Sequence, residues 1–415
     1  MHKRWIQFSC AVVSMIMIAN LQYAWTLFVR PMQGATGWRL SDIQWALSLF
    51  LIFETWITPI EGWLIDKIGP RLFLSVAGVL VGFGWSGLGR AHNLTELYVL
   101  YAIAGIGAAF VYSGSIATAL KWFPDKRGIV SGLITAAFGG GSALFIPFIA
   151  RVISKSGYQT AFLYTGVAQG ICIFIAAQFL HNPGSDFVAP APARKKTLAH
   201  VRKNPCCFNS GEMLRTPHFY MLYAAFVLTS AGGLVATAQA APVGRTLGIA
   251  AAAIVAAVSV SRLANGAGRI FWGWISDHVG REWAMAVPFI LQAICLVSVL
   301  TVGRRSGTMF IVTMGLVFFT WGATFSLFPA IIGDYFGAPN ATSNYGFLYS
   351  AKGVASIIGG GIAAMLFERF GNWHSAFYGS AVMTLVAGAI MVALRYMPLP
   401  AKQAAEPEMV LAKTG

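Results

Sequence analysis

YGFLYSAKGVASIIGGGIAAM, from Tyr345 to Met365, is a continuous and mostly apolar run. About 20 residues at 1.5 Å each span the hydrocarbon core of a bilayer, so this run is long enough to cross one. A lysine, Lys352, sits near its middle. A lysine at that depth costs about 2.5–3.5 kcal/mol on insertion scales. Such a residue must face a watery cavity, a partner carboxylate or an anionic ligand.

Comparable runs recur along all 415 residues. The chain is 57% hydrophobic and 10% charged, with a mean hydropathy of +0.67; a soluble domain carries about 25% charged residues. The class implied is an all-α polytopic membrane protein. The runs are continuous rather than alternating, which argues against a β-barrel. Twelve transmembrane helices are expected, near 5–29, 43–65, 72–90, 96–120, 129–151, 159–181, 217–241, 250–275, 284–303, 308–332, 345–367 and 374–396. The first run is too long for the core of a signal peptide and is expected to stay as a span.

A net charge of +15 raises the question of nucleic acid, but the basic residues sit in short loops between apolar segments. That is membrane topology, and no nucleic-acid partner is expected. Lys3, Arg4, Lys67, Arg71, Lys121, Lys126, Arg127 and the run Arg194, Lys195, Lys196 fall on one side. They outweigh Arg30, Arg39, Arg90, Arg151 and the other basic residues on the opposite side. Both termini are therefore expected in the cytoplasm, with the lipid bilayer of a bacterial inner (plasma) membrane as the setting. The five cysteines have no metal-ligand spacing, and the seven histidines fall mainly in loops or at span ends. No G-x-x-x-x-G-K-[ST] motif and no nucleophile–base constellation occurs. ATP-driven transport, enzymatic activity, a metal and a cofactor are thus not expected.

The long interruption at 182–215 opens HNPGSDFVAPAPARKK and reads as a cytoplasmic linker. It closes FNSGEMLRTPHFY, where Ser210 could cap a short helix and Thr216-Pro217 could start the seventh span. The domain reading is a six-helix bundle at 1–181, the linker at 182–215, a second six-helix bundle at 216–397 and a cytoplasmic tail at 398–415. The bundles repeat: GWLIDKIGPR (Gly62–Arg71) follows span 2, and GWISDHVGR (Gly273–Arg281) follows span 8. Two pseudo-symmetric bundles are a transporter architecture, with the substrate site at mid-depth between them.

GWLIDKIGPR resembles the loop signature of the major facilitator superfamily, G-x-L-x-D-[RK]-x-G-x-[RK], at Gly62, Leu64, Asp66, Lys67, Gly69 and Arg71. The second copy keeps Gly273, Asp277, Gly280 and Arg281, with His278 in a usually basic place. Asp66 is expected to stabilise a helix end and to pair with basic groups on the neighbouring half, as a latch; Lys67, Arg71, Asp277 and Arg281 are expected in the same gating or coupling role. A closer resemblance, to the oxalate:formate antiporter family, runs nearly end to end. It is carried by LQYAWTLF (Leu21–Phe28), WFPDKRG (Trp122–Gly128), FNSGEMLRTPHFY, NGAGRIFWGWISD (Asn265–Asp277), FFTWGATFSLFP (Phe318–Pro329) and NYGFLYSAKGVASIIGGG (Asn344–Gly361). The resemblance implies that Lys352 and Arg269 bind a carboxylate anion. It also implies that Gln22, Tyr23, Tyr112 and Trp321 line the binding site. At Phe138 and Phe325 it implies tyrosine, so this cavity is more apolar. Exchange of small carboxylates such as oxalate and formate, by a carrier working as a monomer, is the function implied. The alternative is a proton-coupled monocarboxylate symporter.

Depth can be read without the family. Counting from Asp277, Arg269 lies about 12 Å into the membrane, and Lys352 lies about 12 Å in from Asn344. Two cations at matching depth repel, and an anion between them resolves this. Glu54 is about 18 Å deep and Arg262 about 22 Å. They could form a gating ion pair. Alternatively, Glu54 could carry a proton, or Arg262 could anchor a larger anion. The glycine runs Gly139–Gly141 and Gly359–Gly361 suit helix contacts, bending or both.

Overall fold

The computed structural model describes residues 2–124, 127–184, 201–337 and 339–401. Asp66 is helical in its backbone, but its side chain lies outside this description, as do much of the expected linker (185–200) and nearly all of the expected tail (402–415). Among the described residues there are helices and no strands. They are α1 (His2–Tyr23), α2 (Trp25–Thr36), α3 (Leu40–Trp56), α4 (Thr58–Gly87), α5 (Leu94–Trp122), α6 (Arg127–Gly141) and α7 (Ile146–Gln178). The short α8 (Ser210–Met213) follows, then α9 (Pro217–Thr246), α10 (Ala251–Val279), α11 (Arg281–Thr301), α12 (Gly307–Phe336), α13 (Ala341–Ile357), α14 (Ala363–Phe370) and α15 (His374–Tyr396). A π-helical turn, Ile358–Ile362, joins α13 to α14.

Eleven helical runs among the described residues are long and apolar enough to cross a membrane. One is the 50-residue run Ile129–Gln178, where twelve spans had been expected to place two.

The two signature copies share one turn. Gly69 has φ 78° and ψ 159°, and Gly280 has φ 92° and ψ 158°. That region is essentially closed to residues with a Cβ. The glycines are therefore required by the backbone, and the same turn recurs half a chain away. Around the linker's end, Asn209 caps α8 by accepting from Glu212 N, with Glu212 returning the bond. Ser210, the expected cap, instead donates to Asn344 Oδ1 across to α13. Thr216 caps α9, and Pro217 takes its first turn, where its missing N–H costs nothing.

One face of α3 zips the two parts of the chain together. Arg39, just before it, and Ser41 both hold Glu368 of α14: Arg39 Nη2 and Ser41 N donate over 2.9 Å. Deeper, Gln44 donates to Ala238 O of α9 at 2.9 Å, and Ser48 donates to Ser356 O of α13 at 2.7 Å. Residues 41, 44 and 48 recur at the helical spacing that puts them on one stripe. The glycine run serves this seam. A Cβ at Gly360 would lie 2.5 Å from Ser48 Oγ, and one at Gly361 would enter Trp45. The π-turn there also marks a local distortion of the helix, as such turns do.

Candidate functional site

Lys352 stands on α13 one turn before Ser356, the partner of Ser48, and is 0% exposed. Its Nζ donates to Glu54 Oε2 on α3 at 2.8 Å, to Gln22 Oε1 on α1 at 2.9 Å and to Tyr349 OH at 3.2 Å. An ammonium has three hydrogens, and each has an acceptor. The rings of Tyr349, Phe138 and Phe325 surround it, with centroids 5.3, 5.6 and 5.9 Å from Nζ. Tyr112 of α5 closes the wall, stacked on Tyr349 at 5.5 Å and edge-on to Phe138 at 5.5 Å.

The expected Glu54–Arg262 ion pair is thus not formed; Glu54 holds Lys352 instead. Depth along a helix does not give direction around it. The long lysine stem reaches several ångströms along its helix, enough to close the axial offset to Glu54.

Arg269 on α10 is 3% exposed. Its Nη1 donates to Thr135 O of α6 at 2.7 Å, and its Nε and Nη2 donate to Asn265 Oδ1, one turn earlier, at 3.2 and 3.1 Å. These acceptors are neutral. Its Cζ lies 4.5 Å from the Phe325 centroid, so Arg269 and Lys352 approach the same ring. Gly139 makes the approach of α6 feasible: a Cβ there would sit 2.8 Å from both Arg269 Nε and Asn265 Oδ1.

Arg262, one heptad earlier, is 0% exposed. Its Nε donates weakly to Val258 O at 3.3 Å. Its guanidinium lies over Phe318 (3.9 Å) and Tyr23 (4.6 Å). Cation–π contacts of this kind are worth about 2 kcal/mol when desolvated. Nη1 and Nη2 are buried with no hydrogen-bond acceptor. Tyr23 OH, Gln22 Nε2 and Trp321 Nε1 share that condition, and Glu54 Oε1 is buried with no donor. Trp321 stands between Phe318 and Phe325, at 5.7 and 5.0 Å. Three cations and one carboxylate are therefore packed into one buried, ring-lined cluster.

Gln22, Tyr23, Glu54, Tyr112, Phe138, Arg262, Arg269, Trp321, Phe325 and Lys352 come together in this cluster. Tyr349, Asn265 and Phe318 belong to it as well and were missed. Tyr349 and Asn265 stand three and four residues before Lys352 and Arg269, a spacing that signals one helix face.

The signature residues lie elsewhere. Among the described residues Asp277 finds its partner within its own part of the chain. It pairs with Arg281, four residues on, at 2.8 Å, and Arg281 also binds Asp334 of α12 at 2.8 Å. The turn at Gly280 brings Arg281, the first residue of α11, back beside the last turn of α10. Arg71 donates to Gln178 of α7 at 2.9 Å, and Lys67 is exposed on α4.

Long apolar helices around a buried, polar, charge-bearing centre define a multi-pass membrane protein of the transporter class. Residues 8–239 and 221–412 each match the Major Facilitator Superfamily, and the chain belongs to that superfamily. Over 387 residues it is 39% identical to the oxalate:formate antiporter of Oxalobacter formigenes, a match covering 93% of this chain and 90% of that one, which places it in the same family. It is also similar to the MFS-type transporter YhjX of Escherichia coli, at 23% identity over 85% of this chain and 86% of that protein. The apicoplast pyruvate carrier 1 of Toxoplasma gondii is 24% identical over 77% of this chain and 68% of its own length.

Proposed function

We propose that this protein is a secondary carrier that exchanges small carboxylate anions of the oxalate and formate type by alternating access. The observation that carries the reading is the charge imbalance of the buried cluster: Lys352, Arg269 and Arg262 share one ion-paired carboxylate, Glu54 on Lys352. Such an excess of buried positive charge is stabilised by an anion. The likeness to an oxalate:formate antiporter supplies the substrate class.

In this mechanism Arg269 offers a planar fork to one carboxylate, and Lys352 offers a point charge. An entering carboxylate takes the place of Glu54 on the Lys352 ammonium. The rings of Tyr112, Phe138, Phe325 and Tyr349 exclude water and strengthen each contact. Tyr23, Gln22 and Trp321 supply hydrogen bonds to the remaining oxygens. Because Gln22, Glu54 and Thr135 stand on α1, α3 and α6 while Arg269 and Lys352 stand on α10 and α13, bound anion ties the two parts of the chain together. The stripe from Arg39 to Ser48 closes one face and must part to admit substrate there.

We further propose twelve spans. The 50-residue run Ile129–Gln178 carries Gly157 at φ 83° and ψ 164°, the conformation of the signature turns, which supports two crossings there. The bundles would be 1–181 and 216–397, joined by 182–215 and followed by the tail 398–415. Both termini would face the cytoplasm of a bacterial inner membrane, by the distribution of Lys and Arg. The carrier would work as a monomer.

The test is uptake of labelled oxalate into proteoliposomes preloaded with formate, with oxalate or with neither, with and without a pH gradient. Preloading should accelerate uptake. Uptake indifferent to the trans anion but driven by external acid would overturn the exchange reading.

A further inference from the structure

The Arg262 guanidinium presents two buried nitrogens, Nη1 and Nη2, that meet no acceptor, and its nearest neighbours are ring faces. Unmet charged donors in a dry site carry a desolvation cost that folding does not recover. Two more unmet donors belong to the same cluster. Tyr23, whose ring Arg262 covers, has an unpaired hydroxyl, and Trp321, with Nε1 unpaired, has its ring between Phe318, which lies against Arg262, and Phe325, which lies against Arg269. All three side chains are 0% exposed. The carboxylate that could have neutralised Arg262, Glu54, is spent on Lys352.

Arg262 and Arg269 are one heptad apart on α10, so their Cα atoms are separated by about 10.5 Å along the axis. Oxalate, with its carboxyl groups joined by one bond, is served by Arg269 and Lys352, which approach the same Phe325 ring. A ligand that also reaches Arg262, two turns away, carries intervening carbons between its carboxyl groups.

We propose that Arg262, with Tyr23 OH and Trp321 Nε1, forms a second carboxylate subsite, so that the preferred ligand is a dicarboxylate with a spacer between its carboxyl groups. One end docks at Arg269 and Lys352, the other at Arg262. This rests on the carboxylate-carrier reading above and sets its chain length. The two positive charges in excess of Glu54 match the two negative charges of such a ligand.

The experiment is calorimetric titration of the purified, detergent-solubilised protein with formate, oxalate, malonate, succinate and glutarate. Affinity should peak among the three- to five-carbon dicarboxylates. Arg262→Gln should weaken the best dicarboxylate about 10- to 100-fold more than it weakens formate, the weight of a hydrogen bond to a charged group. Trp321→Phe keeps the ring and removes the donor. It should reproduce a smaller, severalfold loss confined to dicarboxylates, and it serves where Arg262→Gln does not fold. Oxalate binding more tightly than every longer diacid would overturn the subsite. So would equal losses for formate and dicarboxylate in both variants, and neither result touches the carrier reading. Binding of none of the five anions would overturn both.

Discussion

Replacing Glu54 by glutamine tests the internal pairing of Lys352 and its competition with substrate. The two charged atoms are 2.8 Å apart, and neither side chain is more than 1% exposed. Removing one partner of a buried pair costs about 3–5 kcal/mol, because the other charge stays buried without compensation. Glutamine keeps an oxygen for the ammonium, and Gln22 and Tyr349 remain as acceptors. The low end, about 3 kcal/mol, is therefore expected. With an unfolding entropy of about 2 cal/mol/K per residue, the apparent melting temperature should fall by roughly 3–4 °C. Anion affinity should move the opposite way. A carboxylate entering the wild-type site must expel Glu54, whereas the amide holds Lys352 only by a neutral contact. Recovering half of the lost pairing energy tightens oxalate binding about tenfold. Thermal unfolding with an oxalate titration reads both effects. A Glu54→Gln protein that melts at or above wild type, with oxalate bound no more tightly, would refute the reasoning.

Glu368→Gln should loosen the seam at Arg39 and Ser41. A reporter cysteine at Ser48, in a background without the native cysteines, should then be alkylated severalfold faster, and an unchanged rate would show that the seam does not close that face. Gly139→Ala forces Arg269 Nε and Asn265 Oδ1 away from a new methyl group. It should cost about 1–3 kcal/mol in unfolding measurements and slow transport through loss of the Thr135 contact. Gly280→Ala places a Cβ at φ 92° and ψ 158° and should cost about 1–3 kcal/mol, read as a lower melting temperature.

Lys352 was legible from sequence because an intramembrane lysine is expensive wherever it is found. Its partner was not. Counting residues along Glu54, Arg262 and Lys352 gives depth, and depth placed Glu54 nearer Arg262. Which side of α3 meets which side of α13 depends on packing, and small residues such as Gly353 and Gly360 decide that. The same limit explains the signature residues. Spacing revealed that Asp277 lies at a turn, but not that the turn at Gly280 brings Arg281 of the next helix back against it. Asn209 rather than Ser210 caps α8 for a simpler reason: both residue types cap well, and only the turn geometry separates them. The repeat was the most readable feature, since a turn with φ near 80–90° demands glycine and so leaves its mark in the sequence.

The central claim is that Lys352 and Arg269 hold the transported carboxylate. Its most direct test is counterflow of labelled oxalate in proteoliposomes containing wild type, Lys352→Ala or Arg269→Gln at matched protein density. The account predicts saturable counterflow in wild type and its loss in both variants, with oxalate affinity reduced at least tenfold in each. A Lys352→Ala carrier that exchanges oxalate with wild-type affinity would contradict it.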